Sequence, residues 1–404
     1  METDGLSSGG IVPGACGVVP DMSKLFDPVS LGALTLRNRL ILPPMCQYTV
    51  AAKDGVPVPW HLAHLGARAA GGFGMVVAEA TSVSPEGRIS DQDTGLWNEA
   101  QRDAWKPVTE FIRSQGAVAA VQIAHAGAKA STPADHPGNS RQPLPVGEGG
   151  WETVSPSGIH PVSGLGPTRA LTDKGVEELI RAWGEAARRA AEAGFQVVQI
   201  HAAHGYLIHQ FLSPVTNQRT DRWGGPWENR TRFLRRIVDA VVAAVPDEVA
   251  VGIRFSGSDW LQDSWGIEDT VALVRELVPA GVQWVDLSSG GIGDTYQGPK
   301  GPGYQVPLAE QVKRETADLR TVAGQPLLVS AVGSITDPQM AADVVEEGRA
   351  DAVGIGRAAL VRPNWPVEAA QALEDERYRE QMAPEYHRGV WGRLDRPAEA
   401  LASR

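Results

Sequence analysis

From about residue 38 onward, short apolar runs alternate with amphipathic stretches, and that alternation leaves few possible architectures. The runs are RLILPPM (39–45), FGMVVAEA (73–80), AVAAVQIAH (117–125), FQVVQIH (195–201), VAVGIRF (249–255), VQWVDLSS (282–289), PLLVSAVG (326–333) and ADAVGIGR (350–357). Nearly every position in them is apolar, as expected of parallel strands buried on both faces. Helical patterns separate them. One holds His61 and His64, and a second runs from Glu99 to Ser114. A long one starts at a cap near Thr172 and Asp173 and ends at Gly194. Four more span roughly 229–245, 268–279, 307–322 and 337–348. Eight such units favour an α/β fold closed as a (β/α)8 TIM barrel. An open doubly wound sheet is the alternative, because strand count does not establish closure.

The chain has 404 residues, 42% of them hydrophobic, enough for one large core. A TIM barrel with insertions reaches this length as one domain. The net charge of -11 speaks against nucleic acid, which calls for a basic footprint. No uninterrupted apolar run has the length of a membrane span. The two cysteines, Cys16 and Cys46, supply neither a disulfide framework nor a metal cluster, which fits a reducing cytoplasm. Residues 1–22 are rich in Gly, Ser and Pro and lack the basic start and apolar core of a signal peptide. They read as a flexible extension before a barrel over 23–392, with 393–404 as a tail. The rhythm breaks at 126–171, a long Pro/Gly-rich stretch after the third run, expected to form a capping insertion.

In a barrel the C-terminal strand ends face the active site. Here they carry Cys46 and Tyr48, Glu79 and Ala80, Gln122 and His125, His201 with His204 and Tyr206, Arg254, and Ser288 with Ser289. The last two runs end at Gly333 and at Gly356-Arg357, each followed by a helix start. Loops seven and eight are the usual phosphate site of this fold, with backbone amides at the anion and a bidentate arginine beside it. A pair of tight turns is the plainer reading. His201 and His204 read as structural histidines, as metal ligands with His209 as third, or as donors to a substrate oxygen with Tyr206 supplying a proton. His209 lies on another helix face, and the stretch holds no acid, so the donor reading is favoured. Arg254 reads either as a core ion-pair partner or as a cation beside a cofactor ring. Gln122 offers an amide that matches a ring imide.

The segments PPMCQYT, VQIAHAGAKA, IHAAHGYLIHQFLSPVTNQRTDRWGG with ENRTRFL, and EYHRG together resemble the Old Yellow Enzyme family of FMN-dependent ene-reductases, in its bacterial "thermophilic-like" branch. The resemblance runs from about Leu25 to Trp391. It implies an FMN-binding barrel that takes hydride from NADPH or NADH and reduces the C=C bond of activated alkenes. Pro44, Met45, Cys46, Ala80 and Gln122 would surround the flavin ring. Arg254 would lie at its pyrimidine edge, and Gly333, Gly356 and Arg357 would bind the phosphate. His201 and His204 would hold the substrate carbonyl, Tyr206 would donate the proton, and Tyr48 would touch substrate. Arg388 would reach into a neighbouring subunit's site, implying a homodimer or homotetramer. Two features depart from the pattern. Arg362 is displaced by one position from a second phosphate arginine, and the run 290–305 is unusually glycine-rich.

Overall fold

The computed structural model describes residues 22–139, 142–163, 165 and 168–390. The extension up to residue 21, with Cys16, and the tail 393–404 lie outside the described residues. Eight parallel strands form a closed barrel: β1 (Leu40–Leu42), β2 (Met75–Ser82), β3 (Val118–Ala124), β4 (Val197–Ala202), β5 (Ala250–Ser256), β6 (Val282–Ser288), β7 (Leu328–Ala331) and β8 (Ala352–Gly354). The open-sheet alternative is excluded by the pairing of β8 with β1, through Val353↔Leu40 and Gly354↔Ile41. β1 ends early because Pro43 and Pro44 have no N–H for a ladder.

Helices follow the strands on the outside: α1 (Pro59–Ala70), α2 (Glu99–Ser114), α3 (Asp173–Glu192), α4 (Arg232–Ala244), α5 (Ile267–Leu277), α6 (Val306–Glu315), α7 (Pro338–Glu346) and α8 (Trp365–Ala372). Caps set several of the starts. Thr172 Oγ1 accepts from Gly175 N–H at 3.1 Å, and Asp337 Oδ1 accepts from Met340 N–H at 2.9 Å ahead of Pro338. The pattern at 229–245 becomes two helices, Trp227–Arg230 and α4, divided at Thr231. The pattern at 307–322 stops at Glu315, before Thr316. Both threonines bond back to the carbonyl four residues earlier, competing with the regular helix. No helix among the described residues is long and apolar enough to cross a membrane.

Inside the barrel the layers differ in chemistry. The lower layer is apolar and includes Met75, Val118, Val197 and Trp284. A hairpin of Val29–Leu31 with Leu34–Leu36, turning at Gly32 (φ 58°), covers this end and adds Leu31 and Leu36 to the layer. Strand alternation then puts polar residues one and two steps higher. The stretch after β3 caps the other end. Among its described residues it contains only short 3-10 turns and the paired two-residue strands Val154–Ser155 and Arg169–Ala170. It is tied down by Gly293 N–H to Pro161 O (2.8 Å) and by Ser163 N–H to Asp294 Oδ1 (2.6 Å).

Candidate active site

Strand register lifts a polar ring above the apolar layer. Ala80, Gln122 and Gln199 are lateral neighbours, and so are His201, Arg254, Asp286 and Ser330. Gln122 Nε2 donates to Gln199 Oε1 at 2.8 Å, and Gln199 Nε2 is buried with no protein partner. A buried donor of this kind is costly unless something accepts from it. The ion-pair reading of Arg254 holds, and the same side chain also faces a cavity. Its Nε lies 2.9 Å from Asp286 Oδ2 in the core, and the side chain also lines a cavity of about 240 Å³.

That cavity is bounded by Pro44, Met45, Arg254, Ser288, Gly333, Gly356 and Arg357, with Gln305 and Ser334. Six of the nine residues expected around FMN therefore meet in one place. Cys46, Ala80 and Gln122 are not among its walls and lie at the adjoining β1, β2 and β3 ends. Gly333 has φ 132°, which favours glycine, and a Cβ there would lie 2.8 Å from the Gln305 side-chain amide. Gly356 differs. A Cβ there would meet only Met45 Sδ and Pro43 Cγ, each at 3.8 Å, so no protein atom requires the missing side chain. Arg357 Nη2 donates to Ser334 Oγ at 2.6 Å, placing a cation beside both glycine loops. Two glycine loops beside Arg357, the Arg254 guanidinium and the unpaired Gln199 amide donor are the donor set that FMN calls for. The residues present fit it.

The His-x-x-His-x-Tyr cluster is built by a strained turn. After β4, His204 takes φ 60° and Gly205 φ 71°. A Cβ on Gly205 would lie 2.0 Å from Gly291 O, so glycine lets the loop after β6 press against the turn. The left-handed histidine is fixed from both sides. Its N–H donates to Ser256 Oγ (2.9 Å), and its carbonyl accepts from Lys129 Nζ (2.8 Å). Tyr206 precedes the short helix Leu207–Leu212, and its ring meets His201 edge-on with centroids 4.9 Å apart.

Hydrogen bonds assign the tautomers. Ala203 N–H donates to His201 Nδ1 (3.2 Å), leaving the proton on Nε2, which faces His204 Nδ1 at 3.3 Å. His204 then carries its proton on Nε2, 2.7 Å from Ser288 Oγ. Gln305 completes the chain when its amide oxygen accepts from Ser288 Oγ (2.9 Å) and Ser289 N–H (2.6 Å). Burial, with Arg254 nearby, holds both imidazoles well below the usual histidine range, so they are neutral donors. Burial pushes the Tyr206 and Tyr48 phenols up, so both keep their protons. It also pushes the Cys46 thiol up, with Asp93 and Glu79 adding to the effect, so Cys46 is a thiol and not a thiolate nucleophile.

Tyr48 and Tyr206 both line a second cavity of about 380 Å³, walled by Lys129, Asp135 and His160 of the capping stretch. Lys129 also lies 5.3 Å from the centre of the Tyr206 ring, and burial pushes its ammonium down to about 8. His209 stands apart. Its Nδ1 accepts from Gly205 N–H at 2.9 Å and its Nε2 lies 2.9 Å from Asp259 Oδ1, both side chains fully buried. It braces the turn. Arg388 is exposed on a 3-10 turn, Pro384–Val390, and lines neither cavity. Sequence reasoning missed Lys129, Gln199, Asp286 and Gln305. Alternation from His201 back to Gln199, and a lone acid in VQWVDLSS, were the available signals.

Residues 24–376 match the family described as NADH:flavin oxidoreductase / NADH oxidase. An NADH:flavin oxidoreductase of Gibberella zeae is 42% identical over 356 residues, covering 83% of this chain and 82% of its own. An NADPH dehydrogenase of Geobacillus thermodenitrificans is 40% identical over 354 residues, covering 86% of this chain and 94% of its own. The Old Yellow Enzyme homologue from Zymomonas mobilis superposes with a TM-score of 0.69 at 28% identity, covering 85% of this chain and 91% of that one. With the barrel and its FMN-compatible donor set, these matches make the chain a member of the NADH:flavin oxidoreductase family of Old Yellow Enzyme type, an FMN-dependent NAD(P)H oxidoreductase.

Proposed function

We propose that the enzyme is an ene-reductase acting on α,β-unsaturated carbonyl compounds. The observation that carries this reading is the His201–His204–Tyr206 cluster: two neutral imidazole donors and a protonated phenol within 6.4 Å, centre to centre. Bound FMN supplies hydride transfer from a reduced nicotinamide to the substrate carbon. Arg357, with the Gly333 and Gly356 backbone, holds the phosphate. Pro44, Met45, Cys46, Ala80 and Gln122 would surround the ring, and Arg254 would lie at its pyrimidine edge. His201 and His204 turn their Nε2 protons from each other and from Ser288 to the substrate carbonyl oxygen, stabilising the charge that develops there. Tyr206 delivers its proton to the α-carbon. Tyr48 and the walls contributed by the capping stretch position the alkene and exclude water.

Arg388, exposed in the single chain, completes the site of a neighbouring subunit in a homodimer or homotetramer. One barrel over 23–392, with appendages at both ends, is the domain arrangement that goes with this reading. Product analysis tests the reaction. With NADPH and 2-cyclohexenone, cyclohexanone should form as fast as NADPH disappears. NADPH oxidation without saturated product would point to another acceptor.

A further inference from the structure

Inside the barrel, running up to the cavity, four buried side chains from the three strands β5, β6 and β7 form a continuous chain. Trp284 Nε1 donates to Ser330 Oγ at 2.9 Å, and Ser330 Oγ donates to Asp286 Oδ1 at 2.7 Å. Asp286 Oδ2 then lies 2.9 Å from Arg254 Nε. Gly252 makes room for the first member, since a Cβ there would lie 2.5 Å from Trp284 Cε3. The Nη atoms of Arg254 make no hydrogen bond among the described residues, and the side chain lines the cavity with Met45 and Ser288. The chain thus grips the guanidinium by its inner edge and leaves the outer edge free.

We propose that Asp286 is a positioning residue for the flavin: it fixes Arg254 with its Nη edge toward the cofactor and offsets part of the arginine's charge there, setting the flavin's reduction potential. This rests on the reading that Arg254 faces the pyrimidine edge. The physical reason is the low-dielectric interior. A full positive charge beside the ring would stabilise the reduced, anionic flavin strongly, and an anion behind it weakens that field. Ser330 and Trp284 supply the donors that keep Asp286 in place. Burial pushes the Asp286 carboxyl up while Arg254 and Ser330 hold it down, so a neutral isostere is the informative substitution.

The test is the midpoint potential of the FMN-loaded protein, measured spectrophotometrically against a reference dye. Asp286→Asn keeps the shape and removes the charge, so the potential should rise. It should not rise when the same change is made in an Arg254→Met background. If Asp286→Asn leaves the potential unchanged or lowers it, the inference is overturned. Ser330→Ala is the second variant should Asp286→Asn fail to fold. It strips a donor from the carboxylate and should lower the potential, and no change there would equally overturn the idea. Arg254→Met alone separates the two readings. A lowered potential supports Arg254 beside the flavin, whereas an unchanged one removes that placement and the inference with it.

Discussion

His201 Nε2 and His204 Nδ1 lie 3.3 Å apart, and this contact passes the protonation pattern from one ring to the other. Because Ala203 N–H occupies His201 Nδ1, both imidazoles carry their protons on Nε2. Replacing His201 by Ala removes one donor and frees the tautomer of the other. Hydride transfer to enone should slow by roughly 10²–10³, the usual cost of one such donor. FMN content should stay at the wild-type level. Stopped-flow reoxidation by enone measures the first quantity and protein absorbance the second.

Gly356 has space around its Cβ position that no protein atom fills. Gly356→Ala should therefore leave the thermal stability of the FMN-free protein within about 0.5 kcal/mol. Its FMN dissociation constant should rise about tenfold or more, the equivalent of one lost hydrogen bond. Titration of the FMN-free protein with FMN checks this. Equal affinity in variant and wild type would remove Gly356 from the phosphate site.

Buried histidines make the fold acid-sensitive in a calculable direction. His64, stacked under Trp60, is held down to about 3 by burial with help from Arg68, and burial holds His125 down to about 4. Below about pH 6.5 the unfolded chain takes up protons that these folded imidazoles refuse, so stability falls as pH falls. The buried Asp93 carboxyl, pushed up to about 7, works in the opposite sense: its contribution is present at low pH and is lost as pH rises through that value. His64→Gln isolates one histidine. Between pH 7 and pH 5 it should lose about 2 kcal/mol less stability than the wild type. Urea midpoints at the two pH values decide it, and identical losses would mean that His64 titrates normally in the fold.

Arg388 lines neither cavity of its own chain, so the role proposed for it lies across a subunit interface. Arg388→Ala should raise the KM for enone while leaving the FMN content intact. Light scattering should find dimers or tetramers at assay concentration. A monomer with undiminished activity would exclude the shared site.

Much of this architecture is legible in the sequence. Strand position was carried by apolar runs, and Gly333, Gly356 and Arg357 stood out because glycine after such a run marks a close-approach loop. His201, His204 and Tyr206 were conspicuous as polar residues at a strand end. The interior polar ring was not, for a physical reason. Gln199 and Asp286 sit within strands whose two faces are both buried, so burial cannot say which residues meet across a closed barrel. Only the register, with Asp286 opposite Arg254, brings them together. Lys129 belongs to the capping stretch, where no periodicity fixes where a side chain ends up. Arg254 needed the fold most, because only the register shows that one side chain both pairs with Asp286 and lines the cavity.

The most direct measurement is an anaerobic double-mixing experiment: reduce the FMN-loaded enzyme with NADPH, then mix with 2-cyclohexenone, for wild type and Tyr206→Phe. Flavin absorbance should bleach with NADPH in both proteins. It should return promptly on enone addition in the wild type and roughly 10²–10⁴ times more slowly in Tyr206→Phe, the range for loss of a general acid. Wild-type flavin that bleaches and does not return would contradict the ene-reductase reading. Equal return in the two proteins would contradict proton donation by Tyr206.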